Sequence, residues 1–182
     1  MRGTSSRSPM AAPEFIPGLD LAEALYAQVA PILSHHYPDL RWGAAPWGRG
    51  SEVLGFDTAT SMDHDWGPRL QVYLHVDDAG LASELSSLLA NELPLTCAGF
   101  PNNFASDGSS RVMSPGSHPL AHGVAIGTLE RFLTRYVGSS LLPETLADWL
   151  TIPSQKLRGL TARRILRDDN ESLGPVTAHL AW

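Results

Sequence analysis

Cysteine is almost absent from this sequence: Cys97 is the only one among 182 residues. A single thiol excludes an intrachain disulfide and any Cys-rich zinc site. It also fits a reducing compartment, so a cytoplasmic location is expected. No apolar run approaches the ~18 residues that a membrane helix requires, so no membrane partner is expected. Arg2 and Arg7 are followed by no apolar segment, so no secretory signal is expected. Positive charge is scarce as well. Thirteen Lys and Arg face nineteen Asp and Glu, a net charge of −6 with His neutral. Long nucleic acids and anionic membranes are held by clustered cations, and this balance argues against both. The local exception is a late group of Arg158, Arg163, Arg164 and Arg167.

What is present suits one folded domain. Hydrophobic residues make up 43% and charged residues 18% of the chain, which excludes disorder throughout. A domain of this size buries roughly 70% of the surface its unfolded chain exposes and folds without staples. Residues 1–13 are rich in Ser, Gly, Pro and Arg and read as a disordered tail. Residues 14–140 read as the main domain, and 141–182 as a helical and hairpin extension, possible as part of the same domain.

The spacing of apolar residues predicts the elements. A helix starts at Asp20, with Glu23 completing a capping box, and carries Leu21, Leu25, Val29, Ile32 and Leu33. Pro31 is expected to kink or divide it, and Pro38 to follow its end. Residues 40–47 form a short strand, and Glu52-Val53-Leu54 a helical turn. Asp63 to Val76 is the clearest strand, alternating at Leu70, Val72, Leu74 and Val76, with Gly67-Pro68 bending its start. Asp77 or Asp78 caps a second helix that Pro94 stops. Residues 99–121 form a long loop. Gly123 to Thr128 is a strand, followed by a helix through Tyr136 with Gly138 as its C-cap. Short helices at 144–150 and 154–161 and a hairpin at 164–173 complete the chain. The fold class is α/β (α+β), a small sheet flanked by helices.

The chemistry concentrates in Gly50-Ser51-Glu52-Val53-Leu54-Gly55-Phe56-Asp57 and Ser61-Met62-Asp63-His64-Asp65-Trp66. On a strand, side chains at i and i+2 share a face, so the carboxylates of Asp63 and Asp65 converge while His64 points away. Two hard oxygen donors close together suit Mg²⁺ or Mn²⁺, which complete their shells with water and phosphate oxygens. Gly50 lets backbone approach a phosphate, and Ser51 adds a hydroxyl donor beside free helix N–H groups. A lone Asp-x-Asp is more often solvated and a lone Gly-Ser more often a turn. The combination is the equipment of metal-assisted phosphoryl or nucleotidyl transfer.

Gly50-Ser51, eleven residues, then Asp63-x-Asp65 is similar to the motif of the nucleotidyltransferase superfamily, the fold of polymerase beta. More closely, Phe15-Ile16-Pro17-Gly18-Leu19, Gly50 to Asp57 and Asp63-His64-Asp65-Trp66-Gly67-Pro68-Arg69-Leu70 resemble an uncharacterised bacterial family with a nucleotidyltransferase-like domain. The resemblance extends through His122-Gly123-Val124 and Ala147-Asp148-Trp149-Leu150, covering most of 14–182. It implies a mixed sheet flanked by helices, a divalent metal (Mg²⁺ or Mn²⁺) on Asp63 and Asp65, and an NTP, expected to be ATP, contacted by Gly50 and Ser51. The implied reaction transfers an NMP to a hydroxyl of a small molecule or protein. The alternative is a catalytically inactive member that binds nucleotide or a partner protein, and the blandest reading is a structural module with a solvated acidic pair.

Two features depart from the family pattern. Such enzymes add a third carboxylate from a neighbouring core strand, and the expected place here holds Ala125. Glu130 lies beyond the strand and Asp57 in the loop before the pair. Asp77 is separated from Asp65 by a strand of roughly 40 Å at ~3.3 Å per residue. The third acid activates the acceptor hydroxyl, so its loss weakens chemistry more than binding. Relatives are also expected to continue into a helical region, where this sequence stops at Trp182.

Other residues have structural and functional readings side by side. Glu52 suits a helix N-terminus as well as a metal, and Arg49 and Arg69 suit ion pairs as well as phosphate. Trp47 and Trp66 suit core packing first and base stacking second. His35-His36 diverge on a helix, and the His64-Asp65 doublet lacks the further helical histidines of a phosphohydrolase. Gly116-Ser117-His118 has no nucleophile elbow, Gly48-x-Gly50 no third glycine at dinucleotide spacing, and Cys97 reads as a small buried residue.

Overall fold

The first apolar stripe folds as helix α1 (Gly18–His36), which buries Leu21, Leu25, Val29 and Leu33. The computed structural model describes residues 14–48, 66–106, 111–139, 145–161 and 164–178. Two expectations about α1 are corrected. Pro17, not Asp20, occupies the N-cap position, and its carbonyl accepts from the N–H groups of Asp20 and Leu21. Asp20 and Glu23 instead both bind the Arg164 guanidinium, at 2.8 and 3.0 Å. Pro31 does not divide the helix. Pro31 and Ala27, whose carbonyl loses its helical partner, are both exposed, so water replaces the missing bond.

Strand β1 (Trp42–Ala45) pairs antiparallel with β2 (Leu70–Leu74) in the register Ala45↔Gln71 and Trp42↔Leu74. The strand expected from 63 to 76 is therefore shorter within the described residues. Gly67 has φ of +144°, outside strand geometry, and Val76 opens a 3₁₀ turn (Val76–Leu81) and is 63% exposed. The helical region does begin there, but the His75 ring, rather than Asp77 or Asp78, accepts the capping bond, from the Asp77 N–H. Helix α2 (Ala82–Glu92) follows and buries Leu85 and Leu89.

The expected loop at 99–121 is partly ordered into short ribbons. Strands β3 (Thr96–Cys97) and β4 (Phe100–Pro101) pair antiparallel, as do β5 (Phe104–Ser106) and β6 (Arg111–Met113). Strand β7 (Val124–Thr128) then joins β2 in parallel, with Leu70↔Val124 and Gln71↔Ala125. Thr128 caps helix α3 (Leu129–Tyr136), and Gly138, one residue past the cap position, takes φ of +98° to close its C-terminus.

The C-terminal segment holds helix α4 (Leu146–Thr151), capped by a Thr145–Asp148 box, and helix α5 (Ser154–Thr161). The hairpin expected at 164–173 is not formed. Strand β8 (Arg167–Asp168) instead pairs with β1, and helix α6 (Leu173–Ala178) follows. The reason is Asp168, whose carboxylate accepts from the N–H groups of Ser172, Leu173 and Gly174 and turns the chain into a helix.

The result is a mixed α/β domain whose main sheet has the order β7-β2-β1-β8. Helices α1 and α2 cover one face, where Leu70, Val72, Leu74, Trp42 and Val124 enter the larger core. Residues of α3, α5 and α6 meet Tyr73, Ala45 and Trp47 on the other. Alternation along β2 decides this split, because successive side chains leave opposite faces. Cys97 is buried, with its thiol pushed up to about 11 by burial, as its reading as a core residue requires. Among the described residues no helix is long and apolar enough to cross a membrane.

The β2–β7 junction is closely packed. A Cβ on Gly123 would lie 2.1 Å from the Pro68 carbonyl oxygen and 2.9 Å from the Phe104 ring, while the Leu70 N–H donates to the Gly123 carbonyl. Relief requires backbone movement. Gly123→Ala is therefore expected to lower stability by about 1–3 kcal/mol or more, read as a shifted urea midpoint. An unchanged midpoint would contradict this packing.

Candidate functional site

Gly50, Ser51, Asp63 and Asp65, like Arg49, Glu52, Asp57 and His64, lie outside the described residues. The frame on either side of them is defined. Gly48 stands two residues before Gly50 and Trp66 directly after Asp65. Both lie beyond the end of the sheet where β1 finishes and where β2 and β7 begin. The motif segment thus connects two antiparallel neighbours, and the first residues of the parallel strand stand beside its return.

Tryptophans hold both ends. Trp47 is 2% exposed and packs against Tyr73, their ring centroids 5.7 Å apart. Trp66 is 3% exposed and packs edge-on against Phe100 at 4.9 Å, with Phe15 stacked at 6.0 Å. The two belong to the cores on opposite faces of the sheet. Burial this deep makes them anchors, and the option of base stacking on either is set aside. Their indole N–H groups and the Tyr73 hydroxyl are buried without a hydrogen-bond partner among the described residues.

Gly67 and Gly48 each need the freedom of glycine. Gly67 has positive φ, and a Cβ there would meet Met113 at 2.8 Å and the Phe104 ring at 2.9 Å. Gly48 has φ of +128°, and its N–H donates to the Gly159 carbonyl. A Cβ at Gly48 would lie 3.7 Å from Gln71 Nε2 and 3.8 Å from the Phe132 ring. The chain leaving β1 therefore passes beside Gln71 and α3.

Beside it is a cavity of about 100 Å³ lined by Gln71, Tyr73, Ala125, Gly127, Arg131 and Arg135, among others. Ala125 and Gly127 leave the backbone of β7 bare, and a Cβ at Gly127 would touch Arg131 Cδ at 3.9 Å. The Arg131 stem thus lies across Gly127. No carboxylate lines the cavity among the described residues. The position expected for a third acid is accordingly a floor of Ala125 and Gln71, paired across β7 and β2. Asp77 sits in the 3₁₀ turn past the far end of β2, and Glu130 is exposed on α3 past the far end of β7. Neither replaces it. No group of three His, Cys, Asp or Glu among the described residues converges as a metal site.

Other marked residues disperse. Arg164 is held by Asp20 and Glu23, and Arg167 by Asp169 at 2.7 Å, 4.6 Å above the Trp42 ring. Arg164 and Arg167 are thus each paired with neighbouring carboxylates, and Arg163 lies outside the described residues. His36 meets Glu92 at 2.9 Å, and His118 Nε2 donates to the Leu93 carbonyl. Gln71, Arg131 and Arg135 were not singled out in the sequence. Their signal was available: Arg131 and Arg135 share a helical face, with no acid three or four residues from either.

No family model, curated relative or solved structure matches this chain.

The start of β7, and with it the floor of the cavity, is set by His122. Its Nδ1 accepts from the Val124 N–H at 3.1 Å, and its Nε2 donates to the Ser86 carbonyl at 2.9 Å. Burial holds its pKa below the ordinary value, and the nearby Arg111 acts in the same direction. The folded state therefore binds this proton less readily than the unfolded chain. Stability from His122 is complete above ~6.5, its unfolded value, and declines as pH falls through it. Urea midpoints are expected to drop between pH 7.5 and 5.5, and His122→Asn is expected to reduce that pH dependence. An equal slope in the variant would reject the assignment.

Proposed function

We propose that this chain is a metal-dependent nucleotidyltransferase-like protein that holds a Mg²⁺– or Mn²⁺–NTP, with ATP the expected donor, and passes an NMP to a hydroxyl of a small molecule or protein. Asp63 and Asp65 are the metal ligands in this reading, and Gly50 and Ser51 the triphosphate contacts. The observation that supports it most is topological. The segment bearing all four residues joins β1 to β2 at the sheet end where parallel β7 begins. A mixed sheet between helices is the frame that the motif resemblance implied. The donor set agrees with the metal, since paired carboxylates suit a hard cation that keeps water and phosphate oxygens. Bound there, the metal would neutralise triphosphate charge.

A specific observation favours the alternative, a nucleotide-binding member with little or no transfer activity. Ala125 faces Gln71 where a carboxylate would take the acceptor proton, and neither side chain is a base. Binding and chemistry therefore separate in the test. Calorimetry of each NTP with Mg²⁺ or Mn²⁺ is expected to show binding that Asp63→Ala/Asp65→Ala weakens at least a hundredfold, with the fold retained. Equal binding by wild type and the double variant would reject the site. Pyrophosphate release with an acceptor panel would separate enzyme from inactive binder.

A further inference from the structure

The cavity over Ala125 and Gly127 has a chemistry of its own. Arg131 and Arg135 lie one helical turn apart on α3, and both are exposed. Neither guanidinium has an ion-pair or hydrogen-bond partner among the described residues, in a chain whose net charge is −6. Acids are abundant, yet the nearest on the helix, Glu130, does not line the cavity. Gln71 adds a neutral amide, and Tyr73, whose buried hydroxyl lacks a partner, completes the wall. Small residues at 125 and 127 keep the floor open where larger side chains would fill it.

We propose that this cavity is a phosphate-oxyanion site, in which Arg131 and Arg135 bind the oxygens of a phosphoryl group and Gln71 donates a further hydrogen bond. The cavity is partly open to solvent, so a phosphoryl group can seat between the guanidiniums while the rest of the ligand stays outside. Charge decides its sign. Guanidinium forks match phosphate oxygens with paired N–H donors, and hydrogen bonds to an ionised acceptor are the strong kind. The site rests on described residues alone and does not require the metal reading of Asp63 and Asp65. The phosphoryl group has two possible sources, the nucleotide's own phosphate chain or a phosphate ester on the acceptor, and both present the same oxygens.

The probe is inorganic pyrophosphate without metal, titrated into the full chain by calorimetry. Binding is expected in wild type and equally in Asp63→Ala/Asp65→Ala. Arg131→Gln/Arg135→Gln is expected to weaken it about a hundredfold, roughly tenfold for each charge-assisted contact. Both positions are exposed, so the melting curve should stay in place, and Arg→Lys at both should restore part of the affinity. Absence of pyrophosphate binding in wild type, or equal binding in the arginine variant, would overturn the proposal. Competition then identifies the source. Displacement of pyrophosphate by Mg²⁺–ATP supports the site as part of the nucleotide subsite, and simultaneous binding supports it as a seat for a phosphorylated acceptor. If the aspartate variant keeps NTP binding while the arginine variant loses pyrophosphate, the metal reading fails and the oxyanion site stands.

Discussion

Everything near the candidate site depends on how closely β7 can approach the chain entering β2. Gly123 passes so near the Pro68 carbonyl that no side-chain carbon fits between them, and its own carbonyl accepts from the Leu70 N–H. That contact sets Leu70 opposite Val124 and hence Gln71 opposite Ala125. A one-residue slip would send every side chain of β7 to the other face. Val124 would leave the larger core, and Ala125 would leave the cavity floor. His122 secures the same junction from the other side by linking Val124 to α2 through Ser86.

From that register the two faces of the sheet take different tasks. Leu70, Val72, Leu74 and Val124 join the α1 and α2 residues in the larger core, where each fully buried Leu contributes roughly 1.5–3 kcal/mol. On the other face Tyr73, Trp47 and Leu133 form a smaller core, while Gln71, Ala125 and Gly127 remain beside a cavity. The C-terminal segment belongs to this frame. Strand β8 pairs with β1, α6 packs on Gly43 and Ala45, and Arg164 ties the segment to α1. Strand pairing, burial and an ion pair thus join residues of this segment to the sheet and to α1.

The cavity also bears on the lack of an acid at position 125. A carboxylate at 125 would sit close to two guanidiniums and would neutralise them in part. With Ala125 there, the positive field is left for an external anion. One small residue thus links the weaker case for a catalytic base with the stronger case for an oxyanion site. The deep burial of Trp47 and Trp66 anchors the residues on either side of the motif segment in cores on opposite faces of the sheet.

The sequence by itself determined the elements whose signal is local. The stripe of α1, the core of β2, β7, and α3 with Gly138 behind it follow from spacing and from glycine's tolerance of positive φ. The acidic balance, the single buried thiol and the Gly-Ser and Asp-x-Asp motif are equally local. Only the tertiary structure decided which of several local options each residue took. Asp20 exchanged a cap for Arg164, a partner 144 positions away in sequence. Asp168 ended an expected hairpin by capping α6, because strand pairing with β1 was satisfied from the other side. Arg131 and Arg135 share a helical face by spacing alone, but only the pairing of β7 with β2 sets bare backbone and Gln71 beside them. Such outcomes depend on contacts between residues distant in sequence, which spacing along one element does not encode.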